Sequence, residues 1–344
     1  MKKHTLAKLG TIAGLMLSLA AQPAAGAQVM RVVGKQLLDS NGQPVLVRGI
    51  ECLLGPTGAA NVQTYVNALS SAGFNAVRAQ LWTTDLAKIE EFIARCHDKG
   101  MVVFLTDDTG PLQDNCFQRA DVQAMVERNK YNLVIDASTE EGGDPESDPG
   151  AVAQWLANQK NLISTFRAWG YTQPLTIGTP KAGRYLRALL DHGQELIDHD
   201  PLHSLVLNAQ MYWGEYNRPD GWSYQRANGF SDGDQGVREA TAAVAAKPFL
   251  IQFGLDAYDS GGSWASVPYE LLMSEAQDKG IGTMWWQWRD AAPYDPANPD
   301  LDNPNSLVKY QLDANSLKPL GDIVINLHPD GIRNTSVLVS QPYP

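Results

Sequence analysis

Short apolar runs alternate with longer amphipathic stretches along most of this chain. Residues 45–51, 75–81, 101–107, 132–138, 175–178, 205–213, 249–255 and 282–288 read as strands, because brief and nearly continuous apolar runs suit a sheet buried on both faces. Between them, apolar residues recur at helical spacing over 62–71, 86–97, 117–128, 151–169, 184–197, 237–245 and 269–279, with a last helix near 317–327. Gly100 supplies the stop signal for the second helix. Eight strands, each followed by a helix, predict an α/β fold of the (β/α)8 TIM-barrel type. Ahead of the first barrel strand, Asn41-Gly42 lies between Leu37-Leu38 and Val45 and predicts a short N-terminal β-hairpin, since this dipeptide accepts the left-handed turn positions.

The two ends depart from this alternation. Lys2, Lys3 and Lys8 precede an apolar run over 9–21 and then Ala25-Gly26-Ala27, the arrangement of a secretory signal peptide spanning 1–27 and cleaved after Ala27. No later run approaches the roughly 20 apolar residues of a membrane helix, so the expected protein has no membrane span and is extracytoplasmic, either secreted or periplasmic. Residues 28–328 form one barrel domain. Residues 329–344 show no periodicity and are expected to form a surface tail.

Composition narrows the partners. The chain has 27 basic and 38 acidic residues, a net charge of -11, and loss of the three signal lysines takes the balance to 24 minus 38, or -14. Such a surface repels phosphate backbones and excludes nucleic acid as a natural partner. Cys52, Cys96 and Cys116 show no zinc spacing; in the expected barrel Cys52 and Cys116 share the upper end and could pair, leaving Cys96 buried and free. The alternating oxygen-bearing residues of 295–303 lack the glycine and terminal glutamate of an EF-hand loop and read as a proline-rich connection. No phosphate or dinucleotide motif is present, no metal or cofactor is expected, and the barrel is expected to act as a monomer.

Function in such a barrel sits where the strands end. Those positions hold Glu51, Arg78 with Trp82, Thr106-Asp107-Asp108, Thr139-Glu140-Glu141, Thr179 with Lys181, Gln210 with Tyr212 and Trp213, Gln252 with Asp256, and Trp286 with Trp288. Carboxylates beside indole and phenol rings favour sugars, whose C–H faces stack on aromatic rings. Trp155 and Trp169 lie within a helix and read as packing residues, whereas Trp82, Trp213 and Trp286 are candidate sugar contacts.

In this order and spacing the motifs resemble glycoside hydrolase family 5, most closely its bacterial endo-mannanase branch. They are 38–44 leading to Arg48-Gly49-Ile50, Asn75-Ala76-Val77-Arg78, Thr106 to Gly110, Asn132 to Glu140, Gln210-Met211-Tyr212, Ile251-Gln252-Phe253-Gly254 and Trp286-Gln287-Trp288. The resemblance implies a β-linked polysaccharide of the β-mannan or β-glucan class as partner. It assigns Glu140 as the general acid/base, Arg78 as the brace of the nucleophile, Tyr212 as its hydrogen-bonding tyrosine and Trp286 as the platform under the sugar. It also shows departures: Thr106, Thr139 and Gln210 replace a histidine, an asparagine and a histidine, and Gln252 stands at the nucleophile position.

Retaining hydrolysis needs two carboxyl groups about 5 to 5.5 Å apart. A neutral amide at Gln252 cannot form the glycosyl intermediate, and without a neighbouring negative charge Glu140 loses the influence that keeps a proton donor protonated. Binding would outlast catalysis in such a site. The competing expectation is an active glycosidase or transglycosylase in which Glu140 works with a relocated carboxylate, Asp256, Asp108 or Glu141, among acids that also include Asp107, Asp136 and Glu215.

Overall fold

The computed structural model describes residues 28–52, 61–80, 85–107, 115–138, 142–213, 224–257, 267–289 and 305–339. The signal-peptide residues 1–27 and the loop 295–304 lie outside them.

A small antiparallel sheet opens the described chain, with β1 (Arg31–Val33), β2 (Gln36–Leu38) and β3 (Pro44–Val45) in that order. The predicted hairpin is its second half. Asp39 Oδ1 accepts from Asn41 N and Gln43 N at 2.9 and 2.8 Å, while Gly42 takes a positive φ of 77°. A short aspartate satisfying the turn's own N–H groups fixes the reversal locally.

Eight parallel strands follow and close on themselves: β4 (Arg48–Cys52), β5 (Ala76–Gln80), β6 (Val102–Thr106), β7 (Leu133–Ser138), β8 (Leu175–Ile177), β9 (Leu205–Gln210), β10 (Ile251–Leu255) and β11 (Thr283–Trp285), which pairs back onto β4. Each overlaps a run that the sequence predicts. The surrounding helices are α1 (Val62–Ser71), α2 (Leu86–Asp98), α3 (Ala120–Arg128), α4 (Ala151–Ala168), α5 (Leu186–His199), a short α6 (Tyr224–Ala227), α7 (Gly233–Ala245) and α8 (Tyr269–Asp278). Asn61 and Asp85 start α1 and α2 by accepting from Thr64 N and Lys88 N, which satisfies backbone donors that have no partner inside the helix. In α5, a Cβ on Gly193 would come within 2.6 Å of the Phe249 ring, so the absent side chain lets this helix lie close to the start of β10.

Outward side chains of the strands join the helices in the main apolar core. Inward side chains divide by height. The lower set, including Val47, Val102, Phe104, Val134, Val206 and Met284, packs with Met30, Val32 and Leu37 and closes the bottom of the barrel. The inward positions above this floor are largely polar, among them Glu51, Arg78, Thr106 and Asp136.

The last helix falls where the sequence puts it, as a short α9 (Pro319–Asp322) running into a π turn, Ile323–Leu327. Two expectations need correction. The stretch beyond 328 is not a loose surface tail: α10 (Ile332–Thr335) buries Ile332, Val339 joins the lower apolar cluster, and Val339 N donates to Gly100 O at 2.8 Å. Two apolar side chains in an aperiodic segment suffice to dock it, and they leave no periodic signal. The cysteines are all buried and free. Cys52 points outward from β4 toward Tyr65 and Cys96, burial and then the neighbouring Cys52 push the Cys96 thiol upward, and Cys116 donates its N–H to Asp107 at the end of β6. The outward orientation of Cys52 removes it from any bond with Cys116.

Candidate active site

Arg78 organises the polar upper half. It rises inward from β5 and donates from Nη1 to Glu51 and from Nε to Asp136, while Nη2 donates to Thr106 Oγ1 at 3.2 Å. Glu51 is its direct cross-strand neighbour on β4, Thr106 lies on β6 and Asp136 on β7. Four adjacent strands thus contribute to one buried ion cluster. Thr106, a candidate substrate contact from the sequence, holds the arginine from below the mouth.

This cluster borders a chamber of about 20 Å³ lined by Glu51, Arg78, Phe104, Asp136, Thr176, Asn208, Gln210, Tyr212, Gln252, Gly254 and Met284. Strand alternation explains the membership, because Asn208, Gln210 and Tyr212 point the same way along β9 and its extension, as do Gln252 and Gly254 on β10. Arg78, Gln210, Tyr212 and Gln252 are therefore gathered around one space, to which Thr106 is tied through Arg78. Tyr212 is half-buried and carries the Arg184 guanidinium 5.8 Å from its ring centroid.

Gln252 lies deep in this arrangement. A Cβ on Gly282 would fall 3.4 Å from Gln252 Cβ and 3.2 Å from Val47 Cβ, which puts Gln252 at the level of the apolar floor. The backbone addressed by the Tyr212 hydroxyl is one inward position higher: a Cβ on Gly254 would stand 3.5 Å from that hydroxyl and 3.3 Å from Gln210 Cγ. Neither inward residue carries a carboxylate. Asp256, the next in the series, is buried, accepts from Asn305 Nδ2 at 2.8 Å and from Ala257 N at 2.7 Å, and serves the loop geometry there.

The aromatic candidates separate in the same way. Trp213 is 1% exposed, packs on Phe230 and donates from Nε1 to Arg184 O, so it is a core residue and not a sugar platform. Its place one residue after the inward Tyr212 makes it outward by alternation. Trp285 and Trp288 are likewise buried, the first against Tyr269 and the second edge-on to Phe74. Trp286, by contrast, shares the inward parity of Met284, keeps partial exposure, and is joined to Gln287 by a cis peptide. Trp82, Asp108, Thr139, Glu140, Glu141 and Glu215 lie outside the described residues. Sequence order points to Glu51 and Asp136 as acids near the mouth; their joint closure on Arg78 emerges only when neighbouring strands are set in register.

A closed (β/α)8 barrel with a charged inner cluster and an inward tryptophan at its mouth is the class these features define. No family model matches the chain. In sequence it is 24% identical over 275 residues to the mannan endo-1,4-beta-mannosidase of Salipaludibacillus agaradhaerens, covering 75% of this chain and 80% of that enzyme. In fold it is similar to the catalytic domain of a mannanase from Streptomyces sp. SirexAA-E, with a TM-score of 0.70, 20% identity and 98% of each chain covered. It is also similar to the Thermomonospora fusca β-mannanase in its mannohexaose complex, with a TM-score of 0.69, 17% identity and coverage of 91% of this chain and 99% of the other. A GH5 cellulase from an Icelandic hot spring isolate follows with a TM-score of 0.56, 12% identity and coverage of 92% and 98%. The chain thus shares the (β/α)8 barrel of these mannanases and of the GH5 cellulase.

Proposed function

We propose that this barrel is an exported protein that binds a β-linked glycan of the β-mannan or β-glucan class and has lost ordinary retaining hydrolysis. The observation that carries the reading is the inward face of β10, where Gln252 and Gly254 offer an amide and a bare backbone beside Tyr212. Arg78, which the family resemblance casts as the brace of a nucleophile, is already engaged by Glu51 and Asp136. Trp286 remains available for stacking, and ring stacking survives without transition-state chemistry. The basic, apolar and small-residue sequence of 1–27 supports export.

The test is incubation with β-mannan, glucomannan and cellulose oligomers, with products followed by chromatography and affinity by calorimetry. The expected result is binding without turnover, weakened at least tenfold by Trp286→Ala and little changed by Glu140→Ala. Turnover abolished by Glu140→Ala would overturn the binding-only reading.

A second reading is favoured by Glu51, whose carboxylate shares the chamber with Gln252 and sits on Arg78. In that case Glu140 works with a carboxylate supplied from β4, and the same incubation shows hydrolysis that Glu51→Gln removes.

A further inference from the structure

The chamber has a lower wall that glycan binding does not use. Inward residues of four successive strands form it: Asp136 on β7, Thr176 on β8, Asn208 on β9 and Gln252 on β10. Asp136 and Thr176 are cross-strand partners, and so are Asn208 and Gln252. Their exposures are 4%, 2%, 7% and 3%, so every one is more than nine-tenths buried. No described residue hydrogen-bonds to Thr176 Oγ1, Asn208 Oδ1 or Gln252 Oε1. Buried polar atoms are nearly always paired, and three unpaired oxygens converging on one space point to an occupant that contacts oxygen.

Size and charge define that occupant. A space of about 20 Å³ admits a single ion or water and no sugar ring. Among the described lining residues, Glu51 and Asp136 carry two negative charges and Arg78 one positive, a formal surplus of one negative charge. Carboxylate, amide and hydroxyl oxygens without nitrogen or sulfur form a donor set for a hard cation. We propose that the chamber binds one hard monovalent cation of the sodium type, held by Asp136, Thr176, Asn208 and Gln252 beneath the glycan site. In this arrangement Gln252 is a cation ligand, and its amide is the suitable group because it supplies an oxygen without adding a second surplus charge.

Thermal unfolding of the desalted full chain in NaCl, KCl and choline chloride at matched ionic strength tests the proposal. The midpoint in sodium should exceed that in choline by roughly 2–4 °C, the shift expected when an ion binds the folded state alone. Gln252→Leu and Thr176→Val should each abolish the sodium-specific difference, while Arg187→Ala, on the outer surface, should retain it. Thr176→Val preserves shape and carries the test if Gln252→Leu fails to fold. Equal midpoints in all three salts would identify water as the occupant and overturn the proposal, as would a sodium effect that survives both chamber variants. Glycan affinity does not enter either measurement, so the two readings fail separately.

Discussion

Arg167 and Arg78 are comparably buried, at 7% and 9% side-chain exposure, yet their surroundings differ in kind. Arg167, at the end of α4, forms a two-pronged pair with Asp200 at 2.7 and 2.9 Å and donates to the carbonyls of Tyr171 and Gln173 at 2.7 and 2.8 Å. Asp200 in turn accepts from Leu202 N and Ser204 N, so its charge is spent on the turn that leads into β9. Burial by itself would raise the Asp200 carboxyl, but the bonds and charge of Arg167 outweigh it and hold the group below its ordinary range. Arg78 instead meets two carboxylates and a threonine around a chamber. One arrangement is a matched pair that fastens helix to strand; the other carries surplus acid in a place open to chemistry. A buried ion pair is thus structural or functional according to what surrounds it, and burial alone does not decide.

Breaking the matched pair should give the largest effect. Arg167→Leu strands Asp200, which has 0% side-chain exposure, and should cost about 3–5 kcal/mol in urea unfolding. Glycan affinity of the protein that remains folded should not change. A loss below about 1 kcal/mol would show that water reaches Asp200 and that the pair is no clasp.

Arg78→Met should cost less, about 2–3 kcal/mol, because Glu51 and Asp136 border the chamber, where a water can replace the guanidinium, whereas Asp200 is fully enclosed. Glycan binding should fall together with stability. Equal losses of stability in the two variants, with glycan affinity kept in both, would erase the distinction drawn between the clusters.

The barrel was legible because both periodicities are strong: all eight strands are brief apolar runs, and α1 and α8 announce themselves by spacing. The site was less so. Alternation from Tyr212 already marks Trp213 as outward, but an aromatic at a strand end looks like a sugar contact until its parity is counted. The relation of Gln252 to Gly254 is harder, since the height of a residue inside the barrel depends on register with β9 and β11, which a single strand does not encode. Docking of Val339 beneath Gly100 joins backbone groups far apart in sequence and has no local signature at all.

The smallest expected effect concerns a third buried basic group, one whose environment keeps it uncharged. His97, late in α2, is half-buried with Nε2 3.3 Å from Asn132 O, and burial lowers its pKa from 6.5 to about 4 despite the opposing influence of that carbonyl and of Asp98. Above pH 6.5 the ring is neutral in both folded and unfolded chains and contributes no pH dependence. As pH falls from 6.5 toward 4 the unfolded chain takes up a proton that the folded chain refuses, so stability must decline across that window and level off below it. Allowing for the partly exposed ring edge, the decline should be on the order of 2 kcal/mol. His97→Gln keeps a donor for Asn132 O without a titrating group, so the stability difference between wild type and variant, measured by urea unfolding at several pH values, should drift in this window and be flat above it. A difference independent of pH would mean that His97 ionises freely in the fold. The contrast with Arg167 would then rest on the guanidinium's permanent charge, and the neutral environment assigned to the α2 end would be wrong.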